Sequence, residues 1–455
     1  MNKSNPKIDI VILAAGLGTR MKSSKPKVLH ELMGKPMVAY ILDAVKGLCE
    51  DPAVIVVGNQ ADLVRETLGN QARYALQEPQ LGTADAVKCA REMLKGRSDV
   101  VLVANSDFPL ITPETYRSLV EKHLATGAVM TISTVVEENP RGFGRIVRDA
   151  GGKICRIVEE KAASPAELEI TELNSNPYCF QADWLWESLD KIEKSAVGEF
   201  YLTDLVEIAY QQGALVEARE ITDQEEAIGI NNRIHLAEAL RVVQKRINQH
   251  WMLEGVTMID PQRVYIESGV TLGRDTILYP EVYLKGSTKV GEGCELGPSV
   301  MAEDTEISDF VKIKFAVLEK AKLENYVDMG PFGHLRKGAH LGEHVHMGNF
   351  GEVKNSYLGE GTKMGHFSYL GDAQIGKNVN IGAGTITCNF DGENKFKTEI
   401  EDDVFIGSDT MLVAPLKIGK GAKTGAGAVV THDVEAHTVV VGVPARPLKK
   451  KEEKS

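Results

Sequence analysis

The chain has few cysteines, few cations for its acids, and no long apolar run. Its six cysteines, Cys49, Cys89, Cys155, Cys179, Cys294 and Cys388, are scattered, with no C-x-x-C pair. That spacing excludes both a zinc ribbon and a disulfide framework, and it predicts reduced, mostly buried thiols. Lys and Arg number 52 against 64 Asp and Glu, for a net charge of −12. Such a balance argues against general binding to nucleic acid or an anionic membrane. No apolar stretch approaches membrane-spanning length, and the opening MNKSNPKIDIVILAAG lacks the apolar core of a signal peptide. A cytoplasmic protein is expected.

Against that acidic background, one basic cluster stands out. VILAAGLGTRMKSSKPKVLHELMGKPM begins as an apolar strand, breaks into Gly-rich turns, and gathers Arg20, Lys22, Lys25, Lys27 and Lys35 behind the glycines. A Gly-rich turn after a strand offers backbone N–H groups to phosphate oxygens. A local anion is therefore implied. Arg20 and Lys27 are the candidates to neutralise it, and the other three lysines read as solvated surface charges.

The 455 residues leave room for two to three domains. From about residue 8 to 230 short apolar runs such as IDIVILAAG, PAVIVVGN and DVVLVANSD alternate with helical patterns such as MVAYILDAVKGL and TADAVKCAREMLK. Alternation of this kind predicts a Rossmann-like, doubly wound α/β sheet that binds ligands beyond the carboxyl ends of its strands. Leu236, Leu240, Val243, Ile247 and Trp251 then fall at helical steps, predicting one amphipathic connecting helix. After Val256 the period becomes six: Ile266, Leu272, Leu278, Leu284, Val290, Leu296 and Ala302, and again Ile400, Ile406, Leu412, Ile418, Thr424 and Val430. That period predicts a left-handed parallel β-helix with the aliphatic residue inside. The expected division is 1–231, a linker helix at 232–252, the β-helix at 253–448 and a charged, solvated tail at 449–455.

The signature L-A-A-G-x-G-T-R-M…P-K resembles the sugar-nucleotidyltransferase (pyrophosphorylase) superfamily. Joined to hexapeptide repeats that include GHFSYLGDAQIGKNVNIGAGTITCNFDGENKFKT, it is similar, over nearly the whole chain, to the two-activity uridyltransferase/acetyltransferase family. That family makes UDP-N-acetylglucosamine, which feeds bacterial cell-wall and lipopolysaccharide synthesis. The resemblance implies two sites. In the first, Leu13, Ala14, Ala15 and Gly16 form the nucleotide loop, while Arg20 and Lys27 hold phosphates. QEPQLGTADA supplies Gln77, Gln80, Gly82 and Thr83 for the uracil, and Asn105 lies beside the nucleoside. Gly144, Glu159 and Asn174 hold the N-acetylated sugar. Asp107 and Asn231 are the implied ligands of Mg²⁺, which favours hard oxygen donors. UTP is the implied nucleotide.

In the second site the resemblance makes His366 the base for acetyl transfer from acetyl-CoA, with Glu352 to orient it. Arg336, Lys354, Tyr369, Asn380 and Lys395 are implied for the acceptor sugar phosphate, glucosamine 1-phosphate. Ala383, Asn389, Phe390, Ser408, Ala426 and Arg446 are implied along the coenzyme. The loop NFDGENKFKT breaks the six-residue period, as expected of a homotrimer with acetyl sites between chains. The chain departs from the family pattern at Ser106, Ser175, Asn176, His334, Phe390 and Gly442. Two other readings are a nucleotidyltransferase with a purely structural β-helix and a non-catalytic sensor of sugar nucleotides.

Overall fold

The computed structural model describes residues 6–138, 140, 142–196 and 198–448. The tail expected at 449–455 lies outside them. The division between two compact units falls between Val243 and Gln244, within the helix Arg233–Leu253.

In the first unit the core of the sheet is parallel. Its strands are β1 (Ile8–Ala14), β2 (Val54–Val57), β3 (Arg73–Leu76) and β4 (Val100–Asn105). The pairings β4–β1–β2–β3 are all parallel. β1, β2 and β4 are almost continuous runs of buried aliphatics because helices cover both faces, whereas in the edge strand β3 only Ala75 is buried. The remaining strands are β5 (Met130–Val136), β6 (Arg145–Arg148), β7 (Ile154–Val158), β8 (Glu172–Gln181) and β9 (Val216–Glu220). Here the sheet departs from uniform parallel winding. β8 runs antiparallel to both β4 and β5, with a register shift between Ser175 and Tyr178. Pro177 cannot donate to a ladder, which suits it to such a bulge. The helix expected over TADAVKCAREMLK is two, Thr83–Cys89 and Arg91–Leu94. The turn between them tightens through bonds from Ala90 N to Val87 O and from Met93 N to Ala90 O.

The second unit is a parallel β-helix of three sheets. Each aliphatic residue of the six-residue period stacks on its counterpart one coil on, as in Leu278↔Leu296↔Ile313↔Met329 and Ile266↔Leu284↔Ala302. These ladders form one continuous buried core. The β-branched partners at Thr276 and Thr288 are buried at corners, where their hydroxyls donate to Gly291 O and Lys285 O. The loop after Cys388 does leave the coil. Ile381 stacks on Ile406, with a small bridge, Phe390↔Lys395, closing the excursion. All six cysteines are free thiols, but only Cys179 and Cys294 are buried; the other four are half-buried, against the expectation of mostly buried thiols.

A solenoid must close its ends, where a coil has no neighbour to satisfy its backbone. The second half of the helix Arg233–Leu253 does this. Gln244 Nε2 donates to Gln262 O (3.0 Å) and Val264 O (2.8 Å), and Asn248 Nδ2 donates to Pro261 O (2.7 Å) and Val264 O (2.9 Å). Both amides are buried. Asn248→Leu leaves the half-buried Pro261 carbonyl without its donor and takes one of two donors from Val264 O, and a buried polar group left unmade costs about 1–3 kcal/mol. Calorimetry should show the β-helix transition lowered by several degrees, whereas Asn248→Gln should recover part of the loss.

Candidate functional sites

Because β1 to β4 are parallel, their carboxyl ends open on one side, and the loops leaving them meet there. A cavity of about 450 Å³ is lined by Leu13, Ala15, Gly16, Arg20, Lys27, Gln77, Gln80, Gly82, Thr83, Asn105, Ser106, Asp107 and Asn231, among others. Nearly all the nucleotide-site candidates converge on it. The exception is Ala14, whose side chain is packed in the core between sheet and helices.

At its floor the cations and oxygens interlock. Lys27 Nζ donates to Asp107 Oδ2 (2.8 Å) and Asn231 Oδ1 (3.1 Å), and Arg20 donates to the same Asn231 oxygen (2.8 Å). Asn231 reaches the site because Ile230 N bonds Asp107 O at 2.8 Å. Asp107 Oδ1 and Asn105 Oδ1 are buried without a protein donor. Two hard oxygens aimed into a phosphate-sized cavity fit a divalent ion that takes its remaining ligands from phosphate and water. Among the described residues no group of three or more His, Cys, Asp or Glu could hold a metal alone. Of the implied pair, Asp107 offers the free oxygen Oδ1, whereas Asn231 Oδ1 already accepts from Lys27 and Arg20.

Gln77 Nε2 donates to Gly82 O (3.0 Å) and Asp85 Oδ2 (2.7 Å), so its amide orientation is set from behind. Gly82 has φ +106°, and a Cβ there would lie 2.5 Å from Phe200 O. Only glycine allows the close contact that joins QLGTA to EFYLTD, where Phe200 N donates to Leu81 O and Leu202 N to Thr83 Oγ1.

A second cavity of about 260 Å³ shares Thr83, Asn105, Tyr201 and Asn231 with the first and adds Phe143, Gly144, Glu159, Asn174, Asn176, Tyr178 and Thr203. Gly144, Glu159 and Asn174 thus come together. Asn174 N donates to Gly144 O at 2.8 Å, and Asn174 Nδ2 to Tyr178 Oη at 2.8 Å. Loss of solvent, then the Asp204 charge, holds the Glu159 carboxyl above the usual carboxylate range. The sequence reading did not single out Glu199, Tyr201, Thr203, Phe143 or Tyr178. EFYLTD, polar and aromatic at once after a helical pattern, was the available signal. Ser106, a departure from the family pattern, is buried on the wall of the first cavity, its N–H donating to Leu13 O.

The acetyl-site candidates lie on the β-helix along one outer face and the corners at its two edges. On one sheet, outward-facing His334, Glu352 and Tyr369 are stacked in register. Arg336 Nη1 donates to Glu352 Oε1 at 2.9 Å, so in this chain Glu352 pairs with arginine. The Tyr369 hydroxyl crosses Gly371, where a Cβ would meet it at 2.3 Å, and Lys354 is in register with Gly371. Loss of solvent raises the Tyr369 phenol above its ordinary value, with Asn389 bonding to it in opposition. Asn389 also donates to Asp372 Oδ2. Up the adjoining corner run the turns of His366, Ala383, Ser408 and Ala426. They are linked by Gly384 N to Phe367 O, Asp409 N to Ala383 O, and Gly427 N to Ser408 O. Asn380 lies on the next sheet, between Lys363 and Phe405. Phe390 and Lys395 sit on the excursion loop. Arg446 is exposed in the last strand, which pairs back on Val439–Val441 after Gly442 at φ +95°.

A nucleotide-sized crevice at the carboxyl edge of a parallel sheet, followed by a hexapeptide solenoid with its own polar cluster, defines a two-site transferase. The nucleotidyl transferase family model matches residues 9–246, and the bacterial transferase hexapeptide (six repeats) model matches 397–432. The coils themselves begin much earlier, at Thr257–Met258. The chain is 45% identical over 432 residues to the Bifunctional protein GlmU of Geobacillus sp. (strain WCH70), covering 95% of this chain and 94% of that protein. Identity is 46% over 432 residues to the Bifunctional protein GlmU of Carboxydothermus hydrogenoformans, with 95% and 96% covered. It is 45% over 435 residues to that of Pelobacter propionicus, with 95% of each covered. The chain belongs to the bifunctional GlmU family.

Proposed function

We propose that the two clusters divide two consecutive transfers between them. The enzyme makes UDP-N-acetylglucosamine from glucosamine 1-phosphate, acetyl-CoA and UTP. The amine of glucosamine 1-phosphate attacks the thioester carbonyl, His366 takes the amine proton, and the coenzyme A thiolate leaves. Arg336, Lys354, Tyr369, Asn380 and Lys395 hold the sugar phosphate. Ser408 faces the thioester, and Ala383, Ala426 and Arg446 flank the coenzyme.

A phosphate oxygen of the acetylated product then attacks the α-phosphorus of UTP, and the bond to pyrophosphate breaks. Transfer of this kind needs alignment and charge neutralisation more than an acid or base. Lys27 and Arg20 supply charge, Gln77, Gln80, Gly82 and Thr83 surround the uracil, and Glu159 and Asn174 hold the N-acetylated sugar. Asp107 and Asn231 would hold Mg²⁺, which would supply further charge neutralisation at the phosphates. The observation that carries this reading is the convergence of Lys27 and Arg20 on Asp107 and Asn231 at the carboxyl edge of the parallel strands.

The enzyme works as a cytoplasmic homotrimer. The acetyl cluster lies on a convex surface, whereas substrate sites are concave. A second chain laid against that surface makes the cleft. The outer face beside it is suited to this: Tyr265 stacks on Tyr283 at 4.6 Å, Met301 follows, and Phe315, Phe332 and Phe350 form an exposed aromatic row leading towards Phe367. Ion pairs occur on all three outer faces, Lys285–Glu303 on this one and Lys312–Glu295 and Lys322–Glu306 on the others, and a second stacked row, Phe310, Tyr326 and His344, runs along the opposite corner. Among the described residues no helix is long and apolar enough to cross a membrane.

A coupled assay tests the whole reading. Given glucosamine 1-phosphate, acetyl-CoA, UTP and Mg²⁺, the protein should yield free coenzyme A, pyrophosphate and UDP-N-acetylglucosamine by mass. No free thiol, with pyrophosphate released only when N-acetylglucosamine 1-phosphate replaces glucosamine 1-phosphate, would leave the β-helix structural; neither product with either sugar phosphate would leave a sensor.

A further inference from the structure

Arg145 is among the largest fully buried side chains of the protein, at 1% exposure. A buried guanidinium is expensive to desolvate, and an apolar side chain could fill the space without that penalty, so stability alone does not account for it. Its position is informative. In register, Arg145 stands opposite Val158 on one side and Leu173 on the other. The next residues on those strands are Glu159 and Asn174. Its Nη1 donates to Phe143 O and to Glu160 Oε2, the latter at 3.0 Å. One cation thus ties the loop carrying Phe143 and Gly144 to the turn that follows Glu159. Of the two adjacent glutamates, Glu160 engages the guanidinium, while Glu159 lines the cavity.

We infer that Arg145, acting through Glu160 and the Phe143 carbonyl, is a positioning residue for the acceptor-sugar wall of the uridylyl site. This rests on the reading of Glu159 and Asn174 as sugar-holding groups. Without the tie, the loop and the turn can move apart, and Glu159 no longer keeps a fixed distance from Asn174. The nucleotide loops, built on β1 to β4, are untouched.

Steady-state kinetics of the full chain with N-acetylglucosamine 1-phosphate and UTP test it. Arg145→Met and Glu160→Ala should each raise KM for the sugar phosphate about tenfold, the loss expected for one charge-assisted contact, while KM for UTP stays within about twofold. Arg145→Lys should recover most of the loss, and acetyl transfer should be unchanged in all three. An unchanged KM for the sugar phosphate in folded Glu160→Ala overturns the inference, as does an equal rise for UTP. Should Arg145→Met fail to fold, Glu160→Ala decides alone, because its carboxylate is partly exposed. Glu159→Gln is the reference arm. If it leaves KM for the sugar phosphate unchanged, the sugar-site reading falls too. If it raises KM while the other two do not, only the role of Arg145 falls.

Discussion

His366→Ala should lower acetyl transfer by about 10²–10⁴-fold, the usual cost of losing a general base, and leave uridylyl transfer at the parent rate. His366 is exposed on the turn before the strand Ser368–Gly371, outside the aliphatic ladders. Its removal creates no cavity, so folding and assembly should be unaffected. All the uridylyl candidates precede Asn232, in the other compact unit. With N-acetylglucosamine 1-phosphate and UTP the variant should therefore make product normally. With glucosamine 1-phosphate and acetyl-CoA it should release almost no free thiol. Normal thiol release from a folded, assembled variant would mean that another group takes the amine proton.

Lys27→Ala and Asp107→Asn should each lower uridylyl transfer by about 10²–10³-fold, as loss of one preorganised charge contact does. Lys27 is only partly exposed, and its ammonium touches both Asp107 and Asn231. Truncating it leaves the two oxygens without that cation and the phosphates without its charge. Asp107→Asn keeps the shape and removes the anion, so it separates charge from packing. Acetyl transfer should persist in both variants, and their melting should stay close to the parent. Normal pyrophosphate release in both would remove this cluster from the chemistry. Lys25→Ala is the control. That lysine pairs with Glu31 on the surface, and exposed pairs contribute little.

Much of the fold is legible because its signals are local. A six-residue aliphatic period needs only the geometry of one coil, and each residue meets its own counterpart a coil later, as Leu278 meets Leu296. The apolar strands β1, β2 and β4 are equally visible, being buried on both faces. Glu172–Gln181 is less visible. Asn, Ser and Pro interrupt it, and its place between β4 and β5 depends on partners far along the chain. The end cap was hidden for a similar reason. Gln244 and Asn248 look like the polar side of an amphipathic helix until the carbonyls of Gln262 and Val264 are set against them.

By itself the sequence determined the strand–helix alternation, the six-residue period, the Gly-rich basic turn, and the residue types available for each chemistry. These rest on backbone sterics and side-chain period, which act over a few residues. Only the tertiary structure decided which groups meet. It brings Lys27 to Asp107 and Asn231, folds EFYLTD against Gly82, gives Arg145 to Glu160, and places Glu159 beside the nucleotide cavity. Lys27 lies 80 and 204 residues from its two partners, whereas Arg145 and Glu160 are 15 apart, still beyond the reach of any one element's period. Parallel strands, by ending on one side, bring their loops together whatever their separation in sequence.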